Sequence, residues 1–186
     1  MAWHGFGDSP ESMADYSELD ELAAKHHFIL AYPAGIRGSW RVPMPDAPNA
    51  NVEEDIQLFD ALVEQISAQH AIDHDRIYVV GMSQGAIFAQ WLASQRPDEI
   101  AAVAAHSGSP PKVFEFSTAK VSTLLIAGQE DLVHDSMRDD VTQYQAAGCE
   151  AKFLSIPNLG HAWSAAHNKA IWDFLSRHVL KSKEPD

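Results

Sequence analysis

The stretch "RIYVVGMSQGAIFAQWLASQ", residues 76–95, decides the fold of this chain. Its first part, "RIYVV", is a short β-branched run typical of a buried strand, and "AIFAQWLASQ" has the composition of a helix that ends before Pro97. Between them Ser83 stands between Gly81 and Gly85. A serine on such a corner is in an unusual place for a residue that only packs.

The five residues from Gly81 to Gly85 match the G-x-S-x-G pattern of a nucleophilic serine on a strand-to-helix turn. Because this turn is tight, the residues two positions on either side of the serine must lack a bulky side chain. The free N–H groups of the following helix favour negative charge that develops beside the serine. The pattern therefore predicts that Ser83 is a nucleophile, and a glycine-rich turn with a solvent-facing serine is the simpler alternative.

A serine hydroxyl needs a base, and a histidine in that role needs an acid to orient it. On this topology the chain order is Ser, then Asp or Glu, then His, each in a loop after a strand. His161 follows the strand-like run "KFLSIP" and is the predicted base. His134 and His167 fall in or at the start of predicted helices, and His106 comes too early in the order.

The candidates for the acid after the run "STLLIAG" are Glu130, Asp131, Asp135 and Asp139. Asp131 lies four residues past the apolar run, a typical reach for the acid of such a triad. Glu130 would point elsewhere, and Asp135 would cap the next helix. Asp131 is therefore the preferred acid among the four.

An oxyanion needs two backbone donors. The first is the N–H of Gln84, directly after the serine. The second is predicted in "WHGFGDS", where His4 and Gly5 turn the chain and the N–H of Phe6 points inward. Without the serine motif, this segment would be interpreted as a flexible tail.

Short β-branched runs alternate with helical stretches along the chain, which predicts a mainly parallel sheet with helices on both faces, in one α/β domain over residues 1–186. We predict strands over 28–33, 76–81, 100–108, 122–128 and 150–157. We predict helices over 12–27, 51–70, 86–95, 136–148 and 165–180. In the second helix Asn51 is the expected N-cap, and the apolar face consists of Val52, Ile56, Phe59, Val63 and Ile66.

Composition excludes several classes of protein. The net charge of −13 makes nucleic acid a poor partner, and no apolar run reaches the roughly 18 residues of a membrane span. Cys149 is the only cysteine and no metal-ligand spacing occurs, so we expect neither a disulfide nor a metal or other cofactor. The start "MAWHGFGDS" lacks a signal pattern, so the expected location is cytoplasmic unless a leader has been lost.

The ordered set "HGFGDS", "AYPAG", "VEEDIQLFDALVEQI", "IDHDRIYVVGMSQGA", "AGQEDLVH" and "LGHAW" resembles the α/β-hydrolase serine esterases. It is most similar to their polyhydroxybutyrate-depolymerase and feruloyl-esterase branch, and similar also to the phospholipase/carboxylesterase branch. The resemblance covers nearly the whole chain. It implies a catalytic triad of Ser83, Asp131 and His161, with Phe6 and Gln84 as oxyanion donors.

The resemblance also implies a carboxylesterase that acts on small or aromatic esters. The candidates for its substrate pocket are Trp40, Met82 and Trp163, although Trp40 fits an anchor of its proline-rich loop equally well. The alternatives are a thioesterase or lysophospholipase on the same triad, and an inactive hydrolase-fold binding protein.

The family has strands ahead of the His-Gly loop, whereas three residues precede His4 here. We therefore expect N-terminal strands that are short or missing. The exposed strand edges that would result allow a homodimer.

Overall fold

A five-stranded parallel sheet forms the centre of the structure, a computed structural model that describes residues 1–43 and 52–180. Its strands are adjacent in chain order and all parallel. Because the strands are parallel, the loops that follow them meet at one edge of the sheet, where ligands bind in open α/β folds. The strands are β1 (Ala2–Trp3), β2 (Tyr78–Met82), β3 (Ala102–His106), β4 (Ser122–Gly128) and β5 (Ala151–Ile156).

Helices cover both faces of the sheet, as the sequence predicts. They are α1 (Pro10–Ser17), α2 (Leu19–His26), α3 (Glu53–Gln69), α4 (Gln84–Gln95), α5 (His134–Ala146) and α6 (Asn168–Leu175). One buried cluster joins the sheet to α3, α4 and α5, and a second joins it to α1, α2 and α6. Within the described ranges, no helix is both long enough and apolar enough to cross a membrane.

Each strand supplies both clusters through the alternation of its side chains. Val79 and Leu125 belong to the cluster of α3, α4 and α5, whereas Val80 and Leu124 belong to the opposite one. The sheet is therefore buried on both sides, as its near-continuous apolar strands predict.

The first strand is not the one predicted. No strand is assigned over 28–33, and β1 consists instead of the two residues Ala2 and Trp3. The Ala31 carbonyl accepts one hydrogen bond from the Ala2 N–H (2.9 Å), so the 28–33 segment touches β1 without forming a ladder. The expectation of a short N-terminal strand is confirmed. Trp3 is fully buried, which fixes β1 in spite of its length.

The predicted helix over 12–27 is two helices. Glu18 adopts a left-handed conformation (φ 54°) and separates α1 from α2. On one straight helix, Met13 and Leu22 would lie roughly half a turn apart around the axis, because each residue adds about 100°. The break lets both side chains enter the same buried cluster. The predicted N-cap Asn51 lies outside the described residues.

Candidate active site

Ser83 lies on the corner between β2 and α4 with a φ of 53° and a ψ of −117°, a strained conformation for a residue with a side chain. The Ser83 N–H donates to the His106 carbonyl (2.8 Å), which holds the corner against β3. A Cβ on Gly81 would overlap the Gly85 carbonyl, and one on Gly85 would overlap the Trp3 carbonyl. Glycine is therefore required at both positions.

His161 lies between Ser83 and Asp131. Its Nε2 is 2.9 Å from the Ser83 Oγ, and its Nδ1 is 3.1 and 3.0 Å from the two Asp131 carboxylate oxygens. An ionised carboxylate only accepts hydrogen bonds, so Nδ1 carries the proton and Nε2 is left to accept from the serine hydroxyl. This is the tautomer that a general base requires.

Asp131 is buried, whereas half of the His161 side chain is exposed. Burial alone would raise the pKa of Asp131. Hydrogen bonds from the Ser107 hydroxyl, the Val133 N–H and His161 outweigh that effect and hold the pKa below its usual value. The carboxylate is therefore ionised at neutral pH and orients a histidine that faces the solvent.

The alternative acids and bases have other positions or partners. Glu130 is exposed, and Asp135 accepts from Arg138 and lies 3.0 Å from His134. The Nε2 of His134 lies 2.8 Å from the Ser155 hydroxyl, and the Nδ1 of His167 lies 2.7 Å from the Ser164 hydroxyl.

Both predicted oxyanion donors belong to segments next to Ser83. The N–H of Gln84 is the first of α4, and a Cβ on Gly5 would lie 3.6 Å from the Ser83 Cβ, which places the turn that carries Phe6 beside the serine. In the described part of the chain, neither the Phe6 nor the Gln84 N–H donates a hydrogen bond. Their role as oxyanion donors stays a prediction.

The turn that carries Phe6 is held by the loop over residues 35–40. The Gly7 N–H donates to the Gly38 carbonyl (2.7 Å). The Gln84 side-chain oxygen accepts from the Ser39 hydroxyl (3.2 Å) and from the Trp40 N–H (3.0 Å). Gln84 thus carries one of the two predicted backbone donors. Its side chain also holds the loop that supports the turn with the other predicted donor, Phe6.

Trp40 does not line an open pocket. It is 1% exposed, with its ring 4.8 Å from that of Trp3 and 5.6 Å from that of Phe88. Its Nε1 donates to the His4 carbonyl (2.8 Å), so it anchors the loop, the second of the two interpretations of this residue.

Met82 and Trp163 also pack into the structure. Met82 is buried in the cluster of α1, α2 and α6. Trp163 is half-buried, stacks on the His106 ring with 5.1 Å between centroids, and donates from Nε1 to Asn168 (3.0 Å).

Sequence reasoning missed Ser107, which follows β3. It is buried, has a φ of 60°, and its hydroxyl is one of the groups that lower the pKa of Asp131. The signal available in the sequence was only its position at a strand end, between His106 and Gly108.

Three exposed apolar side chains lie in loops near the candidate active site: Phe6 (74% exposed), Ile36 (55%) and Leu132 (101%). Phe6 and Ile36 lie on the β1 side of Ser83, because the Gly7–Gly38 hydrogen bond joins their loops. Leu132 follows Asp131 on the β4 side. We call these three residues the apolar rim.

A cavity of about 350 Å³ lies elsewhere, near the amino end of β2. Its lining includes Met1, Phe28, Tyr78 and Trp172 and none of the triad residues. It is therefore separate from the candidate active site.

Residues 2–179 match the phospholipase/carboxylesterase family. The chain belongs to this family. The predicted resemblance to α/β-hydrolase esterases is thereby confirmed.

The curated relatives have low sequence identity to this chain. The bifunctional acetylxylan esterase/xylanase XynS20E of Neocallimastix patriciarum is 26% identical over 217 residues, which cover 97% of this chain and 31% of the relative. Across eight curated relatives, the chain spans between 29% and 62% of the relative's length.

Two solved structures show the same fold. SOBER1 of Arabidopsis thaliana superposes with a TM-score of 0.74 at 19% identity, covering 95% of this chain and 96% of SOBER1. The ferulic acid esterase AmCE1/Fae1A of Anaeromyces mucronatus, solved with ferulic acid, gives 0.67 at 17% identity, covering 95% and 77% of the two chains.

Proposed function

We propose that this protein is a serine carboxylesterase that works through an acyl-enzyme. The observation that carries the proposal is the continuous line of hydrogen bonds from Asp131 through His161 to Ser83, at the N-terminus of a helix. Family membership supports the same reaction class.

In the proposed mechanism, the Ser83 Oγ attacks the ester carbonyl carbon while the His161 Nε2 takes the hydroxyl proton. The carbonyl oxygen becomes an oxyanion that accepts from the Phe6 and Gln84 N–H groups. Asp131 stabilises the imidazolium. His161 then gives its proton to the departing alcohol, and a water molecule repeats the sequence on the acyl-enzyme to release the acid.

The proposed substrates are small or aromatic esters. The apolar rim of Phe6, Ile36 and Leu132 offers contacts to a flat apolar group without enclosing it, and half of the His161 side chain faces the solvent. The names of the acetylxylan esterase and ferulic acid esterase relatives, which denote activity on acetylated or aromatic esters, support this choice.

The proposal is tested by treating the purified protein with a fluorophosphonate and locating the adduct by mass spectrometry. We expect one adduct on Ser83. The matched control is Ser83→Ala, which we expect to fold with an unchanged melting midpoint, to remain unlabelled, and to lose about 10⁴-fold or more in kcat on p-nitrophenyl acetate. Folded wild-type protein that gains no adduct on Ser83 would overturn the proposal.

A thioesterase is the second candidate, because a Dictyostelium discoideum relative named acyl-protein thioesterase 1 homolog 2 is 25% identical over 70% of this chain. An oxyester and a thioester of equal acyl length separate the two. The carboxylesterase proposal expects the higher kcat/KM on the oxyester, after correction for the uncatalysed rates of both.

A further inference from the structure

The side chain of His4, which the proposed mechanism does not use, makes two hydrogen bonds to backbone groups around the turn that carries Phe6. His4 directly follows β1 and is 1% exposed. Its Nδ1 lies 2.8 Å from the Gly5 carbonyl oxygen, and its Nε2 lies 3.1 Å from the Gly35 nitrogen. Both nitrogens of this buried ring therefore have a partner.

The directions of these two hydrogen bonds fix the protonation of the His4 ring. The Gly5 carbonyl can only accept, so Nδ1 must carry a proton. The Gly35 N–H can only donate, so Nε2 must offer a lone pair. The two contacts lead independently to the same state, a neutral imidazole with its single proton on Nδ1.

The Gly5 carbonyl belongs to the same peptide group as the Phe6 N–H, one of the two predicted oxyanion donors. In a trans peptide the C=O and N–H bonds lie in one plane and point in opposite directions. A hydrogen bond that holds the Gly5 carbonyl towards the buried His4 ring therefore directs the Phe6 N–H away from that ring. In the described ranges of the chain, this N–H donates to no other group.

This peptide group needs to be held, because it follows a glycine. Glycine tolerates backbone angles that other residues do not, so the peptide after Gly5 can rotate at a low cost. Two hydrogen bonds to its carbonyl restrict the rotation. One comes from the His4 Nδ1, and the other comes from the Asp8 N–H and is longer, at 3.2 Å.

The loop over residues 35–40 holds His4 itself in place. The Trp40 Nε1 donates to the His4 carbonyl (2.8 Å), and the centroids of the two rings lie 4.8 Å apart. A Cβ on Gly35 would come within 2.8 Å of the Ser39 carbonyl oxygen, so the backbone that donates to Nε2 is tightly packed. His4 thus joins a tightly packed loop to the peptide that carries the predicted donor.

We propose that His4 is a positioning residue: its Nδ1–H holds the Gly5 carbonyl, so that the N–H of the same peptide, that of Phe6, stays directed at the oxyanion. The inference rests on the proposed function, since it assigns a role in the same site. His4 is not proposed to touch the substrate or to exchange a proton with it.

Two substitutions separate the two hydrogen bonds of His4. The side-chain amide of Asn reaches about as far as Nδ1, so H4N keeps the donor to Gly5 and loses the acceptor for Gly35. The amide of Gln reaches about as far as Nε2, so H4Q keeps that acceptor and loses the donor.

We expect H4Q to lower kcat about 10- to 100-fold and H4N to lower it less than about 5-fold, with KM nearly unchanged in both, because a misdirected donor is missing chiefly in the transition state. Melting midpoints show that both variants are folded at the assay temperature. Each variant loses one buried hydrogen bond, so a purely structural role of His4 expects similar losses of activity. Equal losses, or a greater loss in H4N, would overturn the inference.

The pH profile distinguishes a misdirected oxyanion donor from a disturbed triad. His4 lies outside the line of hydrogen bonds from Asp131 through His161 to Ser83. In H4Q the plateau of kcat/KM should therefore fall while the midpoint of its acid limb stays at the wild-type pH. A displaced acid limb would show that the substitution acts through His161, and would overturn the inference.

A measurement on the wild-type protein separates this inference from the proposed function. Long-range nitrogen–proton NMR of ¹⁵N-histidine-labelled protein reports the tautomer of each imidazole. We expect His4 to be protonated on Nδ1 alone between pH 7 and 8, and protonation on Nε2 would overturn the inference even in an active enzyme. Absence of both fluorophosphonate labelling and hydrolysis in a wild type with the expected tautomer would instead count against the carboxylesterase.

Discussion

At the scale of single residues, His106 shows how burial sets chemistry. Its ring lies beneath the triad with no water-facing surface, and burial lowers its pKa to about 4 against an ordinary value near 6.5. Between pH 6.5 and 4, the imidazole of His106 therefore becomes protonated in the unfolded chain but stays neutral in the folded protein.

This difference predicts a pH dependence of stability. Since the unfolded state binds more protons in that window, the free energy of unfolding should fall as the pH drops from 6.5 towards 4, by up to about 1.4 kcal/mol per pH unit from His106. Urea unfolding of the wild type and H106N at pH 7, 6, 5 and 4.5 measures it. Other groups titrate in both proteins, so the difference between the two free energies of unfolding isolates the contribution of His106. That difference should shrink or reverse at low pH, and a difference that does not change with pH would contradict the prediction.

The proximity of Ser83 and His161 could be predicted, whereas backbone conformation could not. A triad would need those residue types in a fixed order after strands, and the two side chains do lie 2.9 Å apart, while their catalytic role stays a prediction. The left-handed backbone of Ser107 could not be predicted, because a one-letter code does not display it. Trp40 left two interpretations open, since an indole in a pocket and an indole in a core have the same sequence signature.

At the scale of elements, the contact between α4 and β1 depends on the absence of one side chain. A Cβ on Gly85 would overlap the Trp3 carbonyl, so helix and strand meet backbone to backbone. This close approach sets the distance between Ser83 and the turn that carries Phe6.

We expect Gly85→Ala to destabilise the protein by about 3 kcal/mol, because backbone rather than a flexible side chain must move. Its matched control is Gly160→Ala, since a Cβ there meets nothing within 4 Å. That variant should lie within about 0.5 kcal/mol of the wild type. Chemical denaturation of the three proteins decides the matter, and equal losses in both variants would refute this account of the contact.

Element boundaries were predictable where a local rule governs them and not where packing does. The strands β2 to β5 and the helix α3 follow their apolar patterns. The helix break at Glu18 could not be predicted, because it depends on the packing of Met13 and Leu22 into one buried cluster, which is a tertiary contact. The two-residue β1 likewise owes its place to the burial of Trp3 rather than to strand propensity.

At the scale of the whole molecule, the apolar rim draws on loops from both sides of the nucleophile. Phe6 and Ile36 come from the N-terminal part of the chain, and Leu132 from the loop after β4. If the proposed aromatic substrate binds at this rim, its selection depends on residues that are far apart in the sequence.

We expect Leu132→Ser to raise KM for an aromatic ester such as methyl ferulate about 10-fold, and to leave acetyl-ester hydrolysis nearly unchanged, because an acetyl group is too small to reach the rim. The control is Val179→Ser, another exposed apolar residue, whose neighbour Leu180 bonds to Asp75 just before β2. Steady-state kinetics on both esters tests the prediction. An equal fold-loss of kcat/KM on both esters would show that Leu132 affects the predicted triad rather than the binding of the aromatic group.

The predicted triad comes from residues 83–161, whereas one of the two proposed oxyanion donors is Phe6, which follows the two-residue strand β1. This separation has a consequence for inhibitor selectivity. A compound that needs only an activated serine would depend on Ser83 and His161. A tetrahedral mimic such as a boronic acid would also depend on the N-terminal turn, so its affinity should respond to changes at Phe6 and in the loop that supports it.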